Sequence, residues 1–149
     1  MGTSLRGRCL CGAIRIQLIG EPLSCAHCHC RWCRLAHGAA FVTWLGVAEE
    51  NLVIEAGAEC VSWFSASTGA RRGFCRVCGA TLFYAAEVCL GEVHVARACV
   101  EDPSAPTPAA HAFSDQQVPW VELVDLLPRI TGDHEVLRRY HELDRTVPE

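Results

Sequence analysis

The residues able to do chemistry in this chain are its cysteines, and most of them come in groups. Gly7-Arg8-Cys9-Leu10-Cys11-Gly12 sets two thiols either side of one residue. On an extended segment both side chains fall on the same side, so both sulfurs can reach one ion. Phe74-Cys75-Arg76-Val77-Cys78-Gly79 is a zinc knuckle, in which C-x-x-C wraps a tight turn and the following glycine supports close backbone approach. Together Cys9, Cys11, Cys75 and Cys78 supply four thiolates. Tetrahedral coordination by four thiolates at about 2.3 Å is the closed, structural form of a zinc site. Here it would tie an N-terminal strand to a hairpin over sixty residues away, and its role would be stability.

The densest group, Cys25-Ala26-His27-Cys28-His29-Cys30-Arg31-Trp32-Cys33, has two readings. In one, Cys25, Cys28, Cys30 and Cys33 form two abutting C-x-x-C units around a second closed zinc. In the other, only Cys28, Cys30 and Cys33 bind, and the fourth position is left for water or a substrate. Spacing alone does not separate them. A residue between two same-side ligands tends to point away, which puts His29 behind the ligands rather than among them. Cys60, Cys89 and Cys99 sit in apolar, strand-like surroundings and read as small buried hydrophobes. His37 and His111 read as polar surface residues, with lining of the site as the alternative. Arg71 and Arg72 precede the knuckle and would screen the tetrathiolate cluster, face solvent, or clamp a substrate carboxylate, the last an option shared by Arg31 and Arg34.

Eleven cysteines in 149 residues could also build a disulfide framework. The odd count and tight pairs such as Cys9 and Cys11 favour metal, as does a start without an apolar secretion segment. The expected setting is therefore cytoplasmic. Formal net charge is -4, and seven thiolates with two zinc ions would take it to -7. With no run of basic residues longer than two, nucleic acid is excluded as an expected partner. No apolar run nears the roughly 20 residues needed to cross a bilayer, so no membrane association is expected.

The elements that must position these groups are short strands. Alternating or β-branched runs at about 13–19, 39–47, 51–56, 60–64, 80–84 and 92–98 predict a mainly β fold of short antiparallel strands. Residues 101–108, EDPSAPTP, predict an exposed irregular connection without a domain boundary. Asp133 offers an N-cap ahead of Val136, Leu137, Tyr140 and Leu143 at helical spacing, which predicts a short C-terminal helix. Length and composition suit one domain over residues 1–149.

The order C-x-C-G, C-H-C-x-x-C, F-C-x-x-C-G resembles the glutathione-dependent formaldehyde-activating (GFA) family, which also includes centromere protein V. The resemblance continues through Thr81 to Tyr84 and the tail residues Trp120, Leu127 and Pro128, while Cys25 is extra and Val100-Glu101-Asp102 replaces a usual Leu-Asp pair. It implies a β-tent around zinc knuckles and two zinc ions per chain. One is structural, on Cys9, Cys11, Cys75 and Cys78; the other is labile and catalytic, on Cys28, Cys30 and Cys33. It also implies a carbon-sulfur lyase that adds a small thiol such as glutathione to formaldehyde. Three thiolates make zinc a poor activator of water and a good acceptor of another thiol, so thiol addition is expected before hydrolysis. The alternative in a different class is a non-enzymatic zinc-stabilised binding module.

Overall fold

Strand pairing organises the chain into two sheets. The structure is a computed structural model and describes residues 2–65, 69–138 and 140. The smaller sheet is antiparallel, with β1 (Ser4–Arg8) and β2 (Arg15–Ile19) as a hairpin and β5 (Leu52–Ala56) on the far edge of β2. Leu5, Ile16 and Leu18 alternate with outward Arg6, Arg8 and Arg15, which is why one face is buried and the other solvated.

The larger sheet runs β11 (Arg129–Ile130), β10 (His111–Ala112), β3 (Ser24–Cys28), β4 (Val42–Ala48), β9 (Glu92–Ala96), β8 (Thr81–Ala86), β7 (Ala70–Cys75) and β6 (Val61–Ser65). Its pairs are antiparallel except where β10 lies parallel to β3 and β11. A helix, α1 (Arg31–His37), follows β3 and ends on Gly38 in the left-handed region.

The larger sheet buries side chains on both faces. Leu45, Phe83, Val93 and Val95 meet Leu5, Ile14, Ile16 and Leu18 of the smaller sheet in one core. Trp44 and Ala96, with Tyr84 packed against them, meet Val42, Phe113 and Leu137 in a second core that also holds Cys28, Cys30 and Cys33. Strand periodicity sorts the residues: Trp44 and Leu45 are neighbours in sequence and belong to opposite cores.

The fold is mainly β, as the sequence predicts; β2, β5 and β9 fall within the anticipated runs, and β4, β6 and β8 overlap theirs and extend one or two residues further. β1, β3 and β7 carry arginines, cysteines and histidines in place of an apolar pattern. β10 and β11 have two residues each and exist only through distant pairing. The connection at 101–108 is not simply exposed: Ala105 is buried, and the Arg97 guanidinium donates to the carbonyls of Pro106, Val100 and Ala105. Those bonds satisfy backbone acceptors that prolines leave without a strand partner. At the C-terminus His134, not Asp133, caps a 3-10 turn at Glu135–Leu137, accepting the Val136 N–H at Nδ1. Leu143 of the anticipated helix lies outside the described residues.

Candidate functional site

The first cluster joins the two sheets. Cys9 follows β1 and Cys11 lies in the β1–β2 turn, where Gly12 N–H donates to the Cys9 carbonyl and Cys9 N–H to that of Ile14. The pair is therefore on a turn, not on the extended segment anticipated, and the turn's curl brings the sulfurs to 3.6 Å. Cys75 ends β7, and the knuckle closes as Gly79 N–H donates to the Cys75 carbonyl at 2.7 Å. Gly79 sits at φ 78, a conformation that glycine adopts without strain.

The sulfurs of Cys9, Cys11, Cys75 and Cys78 all lie within 4.8 Å of one another, with Cys11 and Cys75 at 3.9 Å. Four ligands at about 2.3 Å in a tetrahedron stand about 3.8 Å apart, so this set fits zinc, whereas a disulfide needs about 2.05 Å. Backbone N–H groups of Ala80 and Cys11 lower the Cys78 pKa to about 6, and Ile14 N–H donates to Cys9 Sγ at 3.3 Å. The turns thus supply donors that favour thiolates.

The second cluster is built at a strand-to-helix junction. Cys28 is the last residue of β3, Cys30 caps α1 by accepting the Cys33 N–H at 3.3 Å, and Cys33 is buried in the first turn. Their sulfurs also lie within 4.8 Å of one another. Cys25 is not among them. It stands three residues before Cys28 on the same strand and so faces the opposite core, where its thiol meets the Pro106 carbonyl at 3.5 Å. Cys60 and Cys99 are partly buried at the edge of the first core and Cys89 is fully buried, close to the hydrophobic role anticipated.

Cys33 is the thiol held well below its ordinary range. Hydrogen bonds from the Cys28 and Cys30 thiols do most of this, helped by the Arg72 charge and the Trp44 indole N–H at 3.4 Å. Arg72 reaches Cys33 with both terminal nitrogens and stacks over the Tyr84 ring at 4.9 Å. It therefore screens the three-thiol cluster, and not the tetrathiolate, which is one of the roles the sequence leaves open. Arg71 alternates to the other side, stacked on Trp63 at 4.4 Å and 3.9 Å from Glu49. Arg31 stacks on Trp32 at 5.3 Å, and Arg34 donates to the His29 carbonyl.

Behind the cluster, where the sequence places His29, a hydrogen-bonded chain runs from two buried histidines to an exposed carboxylate. Asp125 accepts from His111 Nε2 at 3.0 Å, leaving His111 Nδ1 to accept from His29 Nε2 at 2.8 Å. Burial, then repulsion from His111, lowers the His29 pKa to about 4, so it stays neutral. His111 is thus fully buried, not at the surface, because β10 pairs it opposite His27 on β3. His37 packs edge-on to Trp44 at 5.1 Å.

Beside the three thiols opens a cavity of about 200 Å³, walled by Trp44, Tyr84, Phe113, Ile130, Leu137 and Tyr140. No helix among the described residues is long and apolar enough to cross a membrane.

Fold and clusters define a mainly β protein able to hold metal at two cysteine sites. The chain belongs to the family of the glutathione-dependent formaldehyde-activating enzyme, which matches residues 4–116. It is 41% identical over 83 residues to an uncharacterized lyase of Schizosaccharomyces pombe, a match covering 53% of this chain and 56% of that protein. This chain thus spans just over half the length of that relative. The crystal structure of a Rhodobacter sphaeroides protein superposes with a TM-score of 0.56 at 28% identity, covering 66% of this chain and 92% of that one.

Proposed function

We propose that the chain, acting as one domain over residues 1–149, is a zinc-dependent carbon-sulfur lyase that joins a thiol to formaldehyde or a similar small carbonyl and reverses that reaction. Cys9, Cys11, Cys75 and Cys78 would hold a structural zinc, and Cys28, Cys30 and Cys33 a labile one. The observation carrying this reading is that three thiols border a cavity while a fourth cysteine, Cys25 on the strand that carries Cys28, faces away. A three-ligand set leaves a position open, which is the mark of a reactive rather than a structural site. The lyase name of the yeast relative and the family name agree with it.

When bound to the three cysteines, zinc supplies a soft acceptor that favours the thiolate form of an incoming thiol. The chain's own residues do the rest. Arg72 and the Trp44 N–H offset negative charge gathered at Cys33. The apolar walls lower the local polarity, which strengthens those interactions. The cavity holds the two reactants together, so that much of the gain comes from orientation. In the addition, the sulfur lone pair forms the S–C bond and the C=O π pair moves to oxygen. The thiol proton ends on the new hydroxyl. The reverse step breaks the same S–C bond and returns the proton to sulfur. A reducing compartment such as the cytoplasm suits such a cluster.

Exchange NMR on a thiol and formaldehyde, with zinc-loaded protein compared with protein lacking the second zinc, tests the assignment. Acceleration above the uncatalysed addition, lost with that zinc, is the expected result. Equal rates in both samples would sink the lyase reading.

A further inference from the structure

We infer that the cavity beside Cys28, Cys30 and Cys33 selects a compact, uncharged and apolar substrate body, a single ring or a short branched chain, in preference to the charged tripeptide glutathione. The thiol identity of that substrate rests on the lyase reading above; the apolar selection rests on the walls themselves.

Size is the first argument. The cavity is about 200 Å³, and an apolar cavity of about 150 Å³ is known to hold benzene, whereas pockets for larger ligands begin near 300 Å³. One ring with a short arm fits within it beside the thiols. Charge is the second. Glutathione carries two carboxylates and an ammonium, each needing a partner once out of water. Among the described lining residues there is no carboxylate; Arg72 is the one guanidinium, and His94, the one histidine, is already paired with Glu92 at 2.9 Å. That guanidinium already faces Cys33 at 3.8 Å through both terminal nitrogens and covers Tyr84. A substrate carboxylate would have to compete with the cysteine cluster for it. Arg31 and Arg34, the arginines of α1, are engaged with Trp32 and the His29 carbonyl.

The wall also carries a local backbone cost. Phe113 is the one non-glycine residue with positive φ, at 54, among the described residues, and it is buried. A phenylalanine in the left-handed region costs about 1 kcal/mol or more, a cost that persists where surroundings enforce the placement. Here the following turn is anchored by Gln116, whose side-chain carbonyl accepts the Arg31 N–H at 2.9 Å, which sets the Phe113 ring against the cavity.

The test uses the full zinc-loaded chain with two readouts. Exchange NMR compares phenylmethanethiol with glutathione, each with formaldehyde, and saturation-transfer NMR follows benzyl alcohol, which carries no thiol. The expected result is a kcat/KM at least tenfold higher for phenylmethanethiol, with benzyl alcohol bound. Ala112→Phe, which fills the cavity from β10, should abolish that binding while circular dichroism and metal content hold. Should Ala112→Phe misfold, Ile130→Arg should weaken benzyl alcohol binding at least tenfold and improve glutathione turnover. Glutathione turned over equally well, with no benzyl alcohol bound, would overturn the apolar selection and leave the lyase reading intact. Benzyl alcohol bound with neither thiol accelerated would support the selection and refute the lyase reading.

Discussion

Both terminal nitrogens of Arg72 lie 3.8 Å from the Cys33 sulfur, so a largely buried guanidinium is the countercharge of the three-thiol cluster. Its stem rises from β7 directly opposite Tyr84 on β8, and the ring beneath it holds the side chain in place.

On the two-zinc reading proposed above, removing that charge should loosen the ion held by Cys28, Cys30 and Cys33. Groups that contact metal ligands typically contribute 10–100-fold to metal affinity or activity. Arg72→Met is therefore expected to speed transfer of one zinc per chain to a chelator by about that factor, with the other zinc as internal reference. Arg72→Lys, which keeps charge but loses the fork, should fall between. Identical release curves for all three proteins would remove Arg72 from this role.

The two clusters should fail differently. The free energy of structural zinc binding, about 10–16 kcal/mol, is folding free energy. Cys75→Ser removes the end of β7 from a site that joins two sheets, and circular dichroism should show a largely unfolded chain. Cys30→Ser should keep the spectrum, retain one zinc by elemental analysis and lose turnover. A folded Cys75→Ser protein with two ions would contradict the assignment.

Asp125 should titrate low. The Leu127 N–H and then the hydrogen bond from His111 bring its pKa from 3.8 to about 2. A depressed carboxyl contributes stability above its unfolded pKa and loses it as pH falls through its folded value. The stability gap between the wild type and Asp125→Asn should therefore narrow between about pH 4 and pH 2. Carboxyl ¹³C NMR gives the midpoint directly, and a value near 3.8 would break the pairing with His111.

Gly7 lies against backbone rather than solvent. A Cβ there would stand 2.5 Å from the Cys99 carbonyl oxygen and 3.3 Å from the Ile16 side chain. Crowding of this kind costs about 1–3 kcal/mol. Gly7→Ala should lower the urea midpoint accordingly at unchanged slope. Gly2→Ala, with nothing within 4 Å of its Cβ, is the matched control. Equal midpoints would mean that the β1 approach to residues 97–99 is looser than drawn.

Six strands were legible in the sequence because their apolar residues alternate or are β-branched, and that pattern needs no partner to be seen. β3 and β7 were not, because thiols, histidines and arginines occupy positions that a strand pattern reserves for apolar residues. Residues three apart on a strand face opposite ways, so it is the strand conformation of β3 that keeps Cys25 from joining Cys28.

The order and spacing of the cysteine motifs by themselves determined which residues can share an ion, because ligand geometry is local: a turn or a cap brings sulfurs together within a few residues. Only the tertiary structure decided what surrounds them. Arg72 meets Cys33 across 39 residues, and His111 meets His29 across 82, through strand pairings whose partners leave no local pattern. The cavity is likewise assembled from side chains scattered from β3 to Tyr140, and its size and apolar walls exist only once the sheet has closed around them.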